Sequence, residues 1–276
     1  MLGDIVAADD RKPDLLDQFI DDHQRLMFCQ VHRPMAELLA DRGFYVNEMG
    51  VDTRLELQEY DFKGKQKEWL RYASNWTRRN GYQIVESDFD EVTPFQIEEV
   101  SEAWRKTRTV KRKEVRFLNR PIVMKKEPDV RRFFLFSPDR QLLAFVFLDP
   151  VYENGKPIGY VTSFKRRHPD APVYAEHAIM KFVIEKLKFE GVQELRLGLS
   201  PFAWIEDADF RHSRINQWLF RKAFESRRFN RHCYNVKGHA DYKRRFRGSE
   251  EKVYLASRSR ISSLQLLALL GLCGFA

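Results

Sequence analysis

The chain has 276 residues, 43% of them apolar and 13% aromatic, with 22 phenylalanines, which excludes a disordered composition and supports a sizeable core. Its net charge of +8 lies within residues 201–260, where fifteen Lys and Arg face seven Asp and Glu, against 33 of each sign elsewhere. Such a concentration suits a surface that meets phosphates, whether of a nucleic acid, an anionic membrane or a small phosphorylated molecule. Three isolated cysteines, Cys29, Cys233 and Cys273, exclude a disulfide framework and a CxxC metal pair and point to a reducing compartment. No histidine spacing fits a metal motif. His232 and His239 fall on one helical face, but Gly238 between them favours a solvated pair over a metal site. The start, MLGDIVAADD, is too acidic for a secretory signal.

In chain order, residues 13–26 carry Leu15, Leu16, Phe19 and Ile20 at helical spacing. MFCQV reads as a strand, PMAELLADRG as a helix ended by Gly43, and FYVNEMGVDTRLEL as extended chain with Gly50 at a turn. The run 64–81 is an amphipathic helix with Trp69, Leu70, Ala73 and Trp76 on its apolar face. YQIVE is a strand and 94–108 a helix. FFLFSPDRQLLAFVFLDPVY is a hairpin about SPDR, with Phe133, Phe134 and Phe136 as sheet core. PIGYVTSF is the next strand, and it ends in the densest charge of the chain, Lys165-Arg166-Arg167. A helix follows over 175–190, then the strand ELRLGLS, a helix over 213–224 and the strand KVYLAS. The order predicts an α/β protein of two mixed lobes, residues 1–108 and 109–260, followed by an apolar tail over 261–276. That tail is too short for a secure bilayer span and suits either an interfacial or a buried helix.

Walker, GxGxxG and GxSxG motifs are absent. The β-β-β-α-β order suggests a GNAT-like acyltransferase lobe. A coenzyme A pyrophosphate needs a glycine-rich turn before the helix that follows the central strand. Here the turn reads RRHPDAPVYA, without glycine, which argues against coenzyme A as donor.

The run HPDAPVYAEHAIMKFVIEKLKFEGVQELRLGLSPFAWI resembles the core of the C-terminal catalytic domain of the phosphatidylglycerol lysyltransferases, the aminoacyl-phosphatidylglycerol synthases or multiple peptide resistance factors. GDIVAADDRKPDLLDQF, GFYVNEMGVDTRLEL, FKGKQKEWLRYASNWTRRNGY, SEAWRKTRTVKRKEVRF and CYNVKGHADYKRRF resemble further segments of that domain, in the same order, over about residues 3–257. The resemblance implies two GNAT-like lobes and transfer of an aminoacyl group from aminoacyl-tRNA to a lipid hydroxyl, with no metal and no cofactor. It also implies a role in lipid metabolism and antimicrobial peptide resistance, and a place in the cytoplasm, peripheral on the inner face of the membrane. The implied partners are aminoacyl-tRNA and anionic phospholipid, and the wider family adds sterol and small hydroxyl or amine acceptors. Full-length synthases also carry a multi-span membrane domain, which has no counterpart in this chain.

By the same resemblance, Arg166 takes the place of the arginine at the end of the central strand and Glu114 that of a glutamate in the Trp…Glu-x-x-Phe segment. Lys237, Tyr242 and Lys243 take the place of a basic closing motif that binds substrate. The family's Asp-x-x-Arg has Ser163 at its first position here, and His177 replaces an aspartate of the next helix. Since His can serve as a base near neutral pH, the expectation is that Arg166, Glu114 and His177 meet in one cleft between the lobes. Arg166 is expected to be an exposed cation, Ser163 to line the substrate site, and Lys237 or Lys243 to stand at the rim. Arg211, Arg214, Arg221, Lys243, Arg244, Arg245 and Arg247 are expected to share one positive surface. Two other readings stay open: an inactive GNAT-like module that binds RNA or anionic lipid, and a coenzyme A-dependent acyltransferase.

Overall fold

The computed structural model describes residues 1–89, 92–107, 120–260 and 263–272. The elements are α1 (Lys12–Asp21), β1 (Met27–Val31), α2 (Arg33–Asp41), β2 (Tyr45–Glu56), α3 (Glu68–Arg79), β3 (Gln83–Glu86), α4 (Pro94–Lys106), β4 (Arg131–Phe136) and β5 (Leu142–Glu153). They continue with β6 (Lys156–Arg167), α5 (Ala175–Phe189), β7 (Glu194–Pro201), α6 (Arg214–Glu225), α7 (Arg227–His232), α8 (Val236–Arg244), β8 (Ser249–Ser257) and α9 (Ser263–Leu272). This is the mixed α/β fold that the sequence pattern predicts.

Two compact units form. One comprises Met1–Asp52, Leu199–Tyr242 and Glu250–Ala276, the other Thr53–Gly198 and Lys243–Ser249. The lobe boundary expected at 108/109 lies outside the described residues.

In the first unit the strands run in the order β1-β8-β2, with β1 and β8 antiparallel. Leu16 and Ile20 of α1 and Met35, Ala36 and Leu39 of α2 bury against Phe28, Val31 and Tyr254 of these strands. Helix α1 stops at Asp21, short of the expected residue 26, because the apolar spacing ends at Ile20 and a polar run follows. Gly50 does not make a turn. It lies inside β2 with φ at +144°, and a Cβ there would stand 2.2 Å from the Ser200 carbonyl oxygen, so the glycine permits a close backbone approach. His232 ends α7 whereas His239 lies within α8, so they do not share a helical face. Among the described residues no group of three or more His, Cys, Asp or Glu could hold a metal ion, and no helix is long and apolar enough to cross a membrane.

The second unit has the strand order β7-β6-β5-β4-β3. β6 and β7 pair in parallel, and the other neighbours are antiparallel. Asn154 and Gly155, both at positive φ, close the β5–β6 hairpin as an Asn-Gly turn whose twist matches the strands. Thr93 and Gln96 form a capping box that starts α4, with Pro94 in its first turn. One face of the sheet carries Phe134, Phe145, Phe147 and Phe164 against Ile97 and Val100 of α4. Phe133, adjacent to Phe134, points to the opposite face and meets Phe182 of α5. The two faces of this sheet separate the candidate site residues.

Candidate functional site

β6 is an interior strand, flanked by β5 and β7. Its register shifts between the pairs Phe147–Phe164 and Leu148–Thr162, so Ser163 is the extra residue of a bulge. The Ser163 hydroxyl donates to the Phe147 carbonyl at 3.2 Å and thereby serves the strand itself. Beyond the bulge, side chains alternate strictly.

That alternation divides the three cations. Arg166 pairs across to Phe145 and faces α4. It is 4% exposed, with its guanidinium 5.2 Å from the Trp104 ring centroid and 5.6 Å from that of Phe164. The expectation of an exposed cation is therefore corrected: Arg166 is buried between aromatic rings. Arg120, held bidentately by Asp149 at 2.8 and 2.6 Å, lies over the same Phe164 ring at 5.7 Å. Glu114 lies outside the described residues.

Lys165 and Arg167 take the other face. Lys165 pairs with Glu176 at 3.6 Å. Arg167 donates to the carbonyls of Ala171 and Pro172, each at 3.3 Å, and clamps the turn before α5. His177 belongs on this side. Its ring lies edge-on to Trp69 at 6.0 Å and parallel to Phe246 at 6.2 Å. The structure therefore does not bring Arg166 and His177 into one cleft. They stand on opposite faces of the sheet, because residue 166 is out of phase with 165 and 167.

Burial pushes the His177 imidazole down to about 4, and the positive charges of Arg245, Lys165 and Arg167 push the same way. A base that weak leaves little driving force for proton removal at neutral pH. The shift also has a stability consequence. The folded-state value lies below the unfolded one, so the unfolded chain binds the proton more readily, and stability is full above pH 6.5 and lost as pH falls towards 4. Unfolding free energy measured between pH 4 and 7.5 should fall by at most about 3 kcal/mol from this group. His177→Phe should flatten that part of the profile, and an unchanged acid slope in the variant would contradict the burial argument.

Lys243 is 8% exposed and donates through Nζ to the Gly198 carbonyl at 2.6 Å, so it ties α8 to β7 rather than standing on an open surface. That corrects its expected place in the positive surface. Lys237 is exposed, and its backbone N–H donates to Asn230 Oδ1 at 2.9 Å. Tyr242 is half-buried. In the same unit, Arg221 donates to the carbonyls of Ile205 and Glu206, and Arg211 lies over the Tyr45 ring.

A feature missed in the sequence is aromatic. On α3 the buried residues are Leu70, Ala73 and Thr77, not the expected face that included Trp69 and Trp76. Trp69, Tyr72 and Trp76 form a second stripe at i, i+3 and i+7, which joins Tyr174 at the start of α5. A count of ring-bearing residues at that spacing would have found it; apolarity alone merged the two stripes. An open pocket of about 300 Å³ beside it is lined by Gln66, Trp69, Leu70 and Arg245.

A family model described as phosphatidylglycerol lysyltransferase, C-terminal, matches residues 1–257. A phosphatidylglycerol lysyltransferase from Bacillus subtilis (strain 168) is 23% identical over 270 residues, which cover 95% of this chain and 30% of that protein. The chain thus spans about 30% of the length of that curated relative. The structure of L-PGS from Bacillus licheniformis is similar with a TM-score of 0.74 and 20% identity, over 99% of this chain and 82% of the other. The C-terminal domain of a putative lysylphosphatidylglycerol synthetase from Agrobacterium fabrum is similar with a TM-score of 0.76 and 23% identity, over 100% of this chain and 82% of the other. At these identities the solved structures establish a shared fold.

Proposed function

Because the chain belongs to the phosphatidylglycerol lysyltransferase C-terminal family, we propose that it is an aminoacyl-tRNA-dependent aminoacyltransferase. Its acceptor is the hydroxyl of a phosphatidylglycerol-like lipid, or the hydroxyl or amine of a small compound. The observation that carries this reading is the extent of the family match, which runs through both compact units to residue 257.

The donor ester is already activated, so the chain must position two substrates, accept a proton and stabilise an oxyanion. The acceptor hydroxyl attacks the ester carbonyl and loses its proton. The tetrahedral intermediate then expels the terminal ribose oxygen of the tRNA, which takes up a proton. Arg166 supplies fixed positive charge to the oxyanion or to a substrate phosphate from a low-dielectric setting, where such charge acts most strongly. Glu114 is the proton acceptor in this scheme. His177 stays neutral and packs the opposite face, and Lys237 and Tyr242 contribute phosphate contacts from their own unit. Membrane contact is peripheral, through anionic lipid.

The test incubates the 276-residue chain with tRNAs charged with labelled amino acids and with vesicles of phosphatidylglycerol or total lipid extract. The expected result is label in the organic phase for at least one amino acid. RNA binding with no labelled product from the full set, small acceptors included, would overturn the enzyme and leave a binding module in its place.

A further inference from the structure

We propose that the aromatic stripe on α3 and α5 is a stacking platform for the unpaired bases of a single-stranded RNA end. Tyr174 stands at its centre, with ring centroids at 4.9 Å to Trp76, 5.2 Å to Trp69 and 5.3 Å to Tyr72. Trp69 and Tyr72 lie within 25° of parallel at 6.1 Å, and Tyr82 extends the stripe beyond Trp76 at 5.8 Å. Trp69 and Tyr72 are 39% and 49% exposed. Large rings are rarely left in water together on one helical stripe when the same helix buries a different one.

The charge around the stripe selects the ligand. Residues 63–82 carry six cations and one carboxylate, and residues 243–247 carry four cations and none. The Arg245 guanidinium lies 5.8 Å over Trp69, at the pocket where Gln66 offers an amide donor and acceptor. Flat π faces, a guanidinium and an amide edge beside a cationic rim suit nucleobases joined by phosphates. Trp and Tyr also gather at lipid interfaces, but here the rings pack against one another into one continuous set of faces, which suits stacked bases, and the vesicle arm of the test separates the two. A duplex would keep its base faces stacked inside, so the occupant is single-stranded. The biological identity of that RNA, the donor's unpaired end, rests on the aminoacyltransferase reading; the platform itself can be tested without turnover.

The probe is a labelled heptaribonucleotide of mixed sequence, titrated at moderate salt beside a 12-base-pair RNA duplex and anionic phosphatidylglycerol vesicles. Trp69→Ala and Tyr72→Ala should each weaken heptamer binding about tenfold, as one lost base–aromatic stack does. Trp69→Phe and Tyr72→Phe should retain most of it, and all four variants should melt within a few degrees of the parent. Unchanged heptamer affinity in both alanine variants would overturn the platform. So would duplex binding that suffers the same losses, or loss of vesicle binding with RNA binding intact, which would assign the stripe to a lipid surface. If transfer is observed and the alanine variants leave KM for aminoacyl-tRNA unchanged, the platform falls while the reaction stands. If no transfer is found, the heptamer titration alone decides.

Discussion

Arg166→Ala is expected to lower transfer by two to three orders of magnitude, the usual effect of deleting a fixed charge or donor aimed at a developing oxyanion. It should also lower stability by about 2 kcal/mol, because the side chain is buried between Trp104 and Phe164 and its loss leaves a gap in addition to two lost cation–ring contacts. Arg166→Lys should preserve part of the stability and little of the activity, since an ammonium cannot stack on a ring or offer a planar fork. Single-turnover transfer and thermal melting on the same preparations separate the effects. Full transfer by Arg166→Ala, with only Tm reduced, would make Arg166 a packing residue.

Arg132→Ala should be among the most destabilising single changes in the second unit, at about 3 kcal/mol. Arg132 is 1% exposed and donates to Asp88 at 3.0 Å, to the Lys125 carbonyl at 3.0 Å and to Glu127 at 3.2 Å. Its guanidinium lies 4.8 Å over Phe89 and 5.5 Å over Phe147. Both carboxylates have second partners, Lys126 for Asp88 and Arg120 for Glu127, so loss of charge alone should be partly compensated. Arg132→Met, which keeps the apolar stem between the rings, should therefore cost about 1 kcal/mol. Chemical denaturation of the two variants checks this. Equal losses would mean that the ion pairs rather than the packing hold the segment.

Much of the fold was legible because its signals are local. MFCQV at β1 and the PMAELLAD segment of α2 read correctly, as alternation and helical spacing respectively. Gly50 misled because a strand glycine looks the same in sequence whether it turns the chain or admits a neighbouring backbone; only Ser200, 150 positions away, distinguishes the two. The α7 and α8 helices carry basic residues without an apolar period strong enough to announce them. Within the site, the cations after Phe164 were visible as a cluster, but their destinations were not. Lys165 meets a carboxylate, Arg166 meets rings, and Arg167 meets two carbonyls. Those partners come from elements that a single sequence does not align.

The bulge at Ser163 gives β6 one residue more than β5 matches at that point, while the pairs on both sides of it stay in phase. A deletion of that one residue would restore even pairing with β5 and leave every pair from Phe147–Phe164 to Ala144–Arg167 on its present face. Lys165 and Arg167 would stay on the side of His177, and Phe164 and Arg166 among the phenylalanines under α4. A strand built this way tolerates the loss of its bulge residue more readily than a change at Arg166, whose ring contacts the register fixes. Descendants of this chain should therefore vary at position 163, in residue and in presence, while keeping Arg166 opposite position 145.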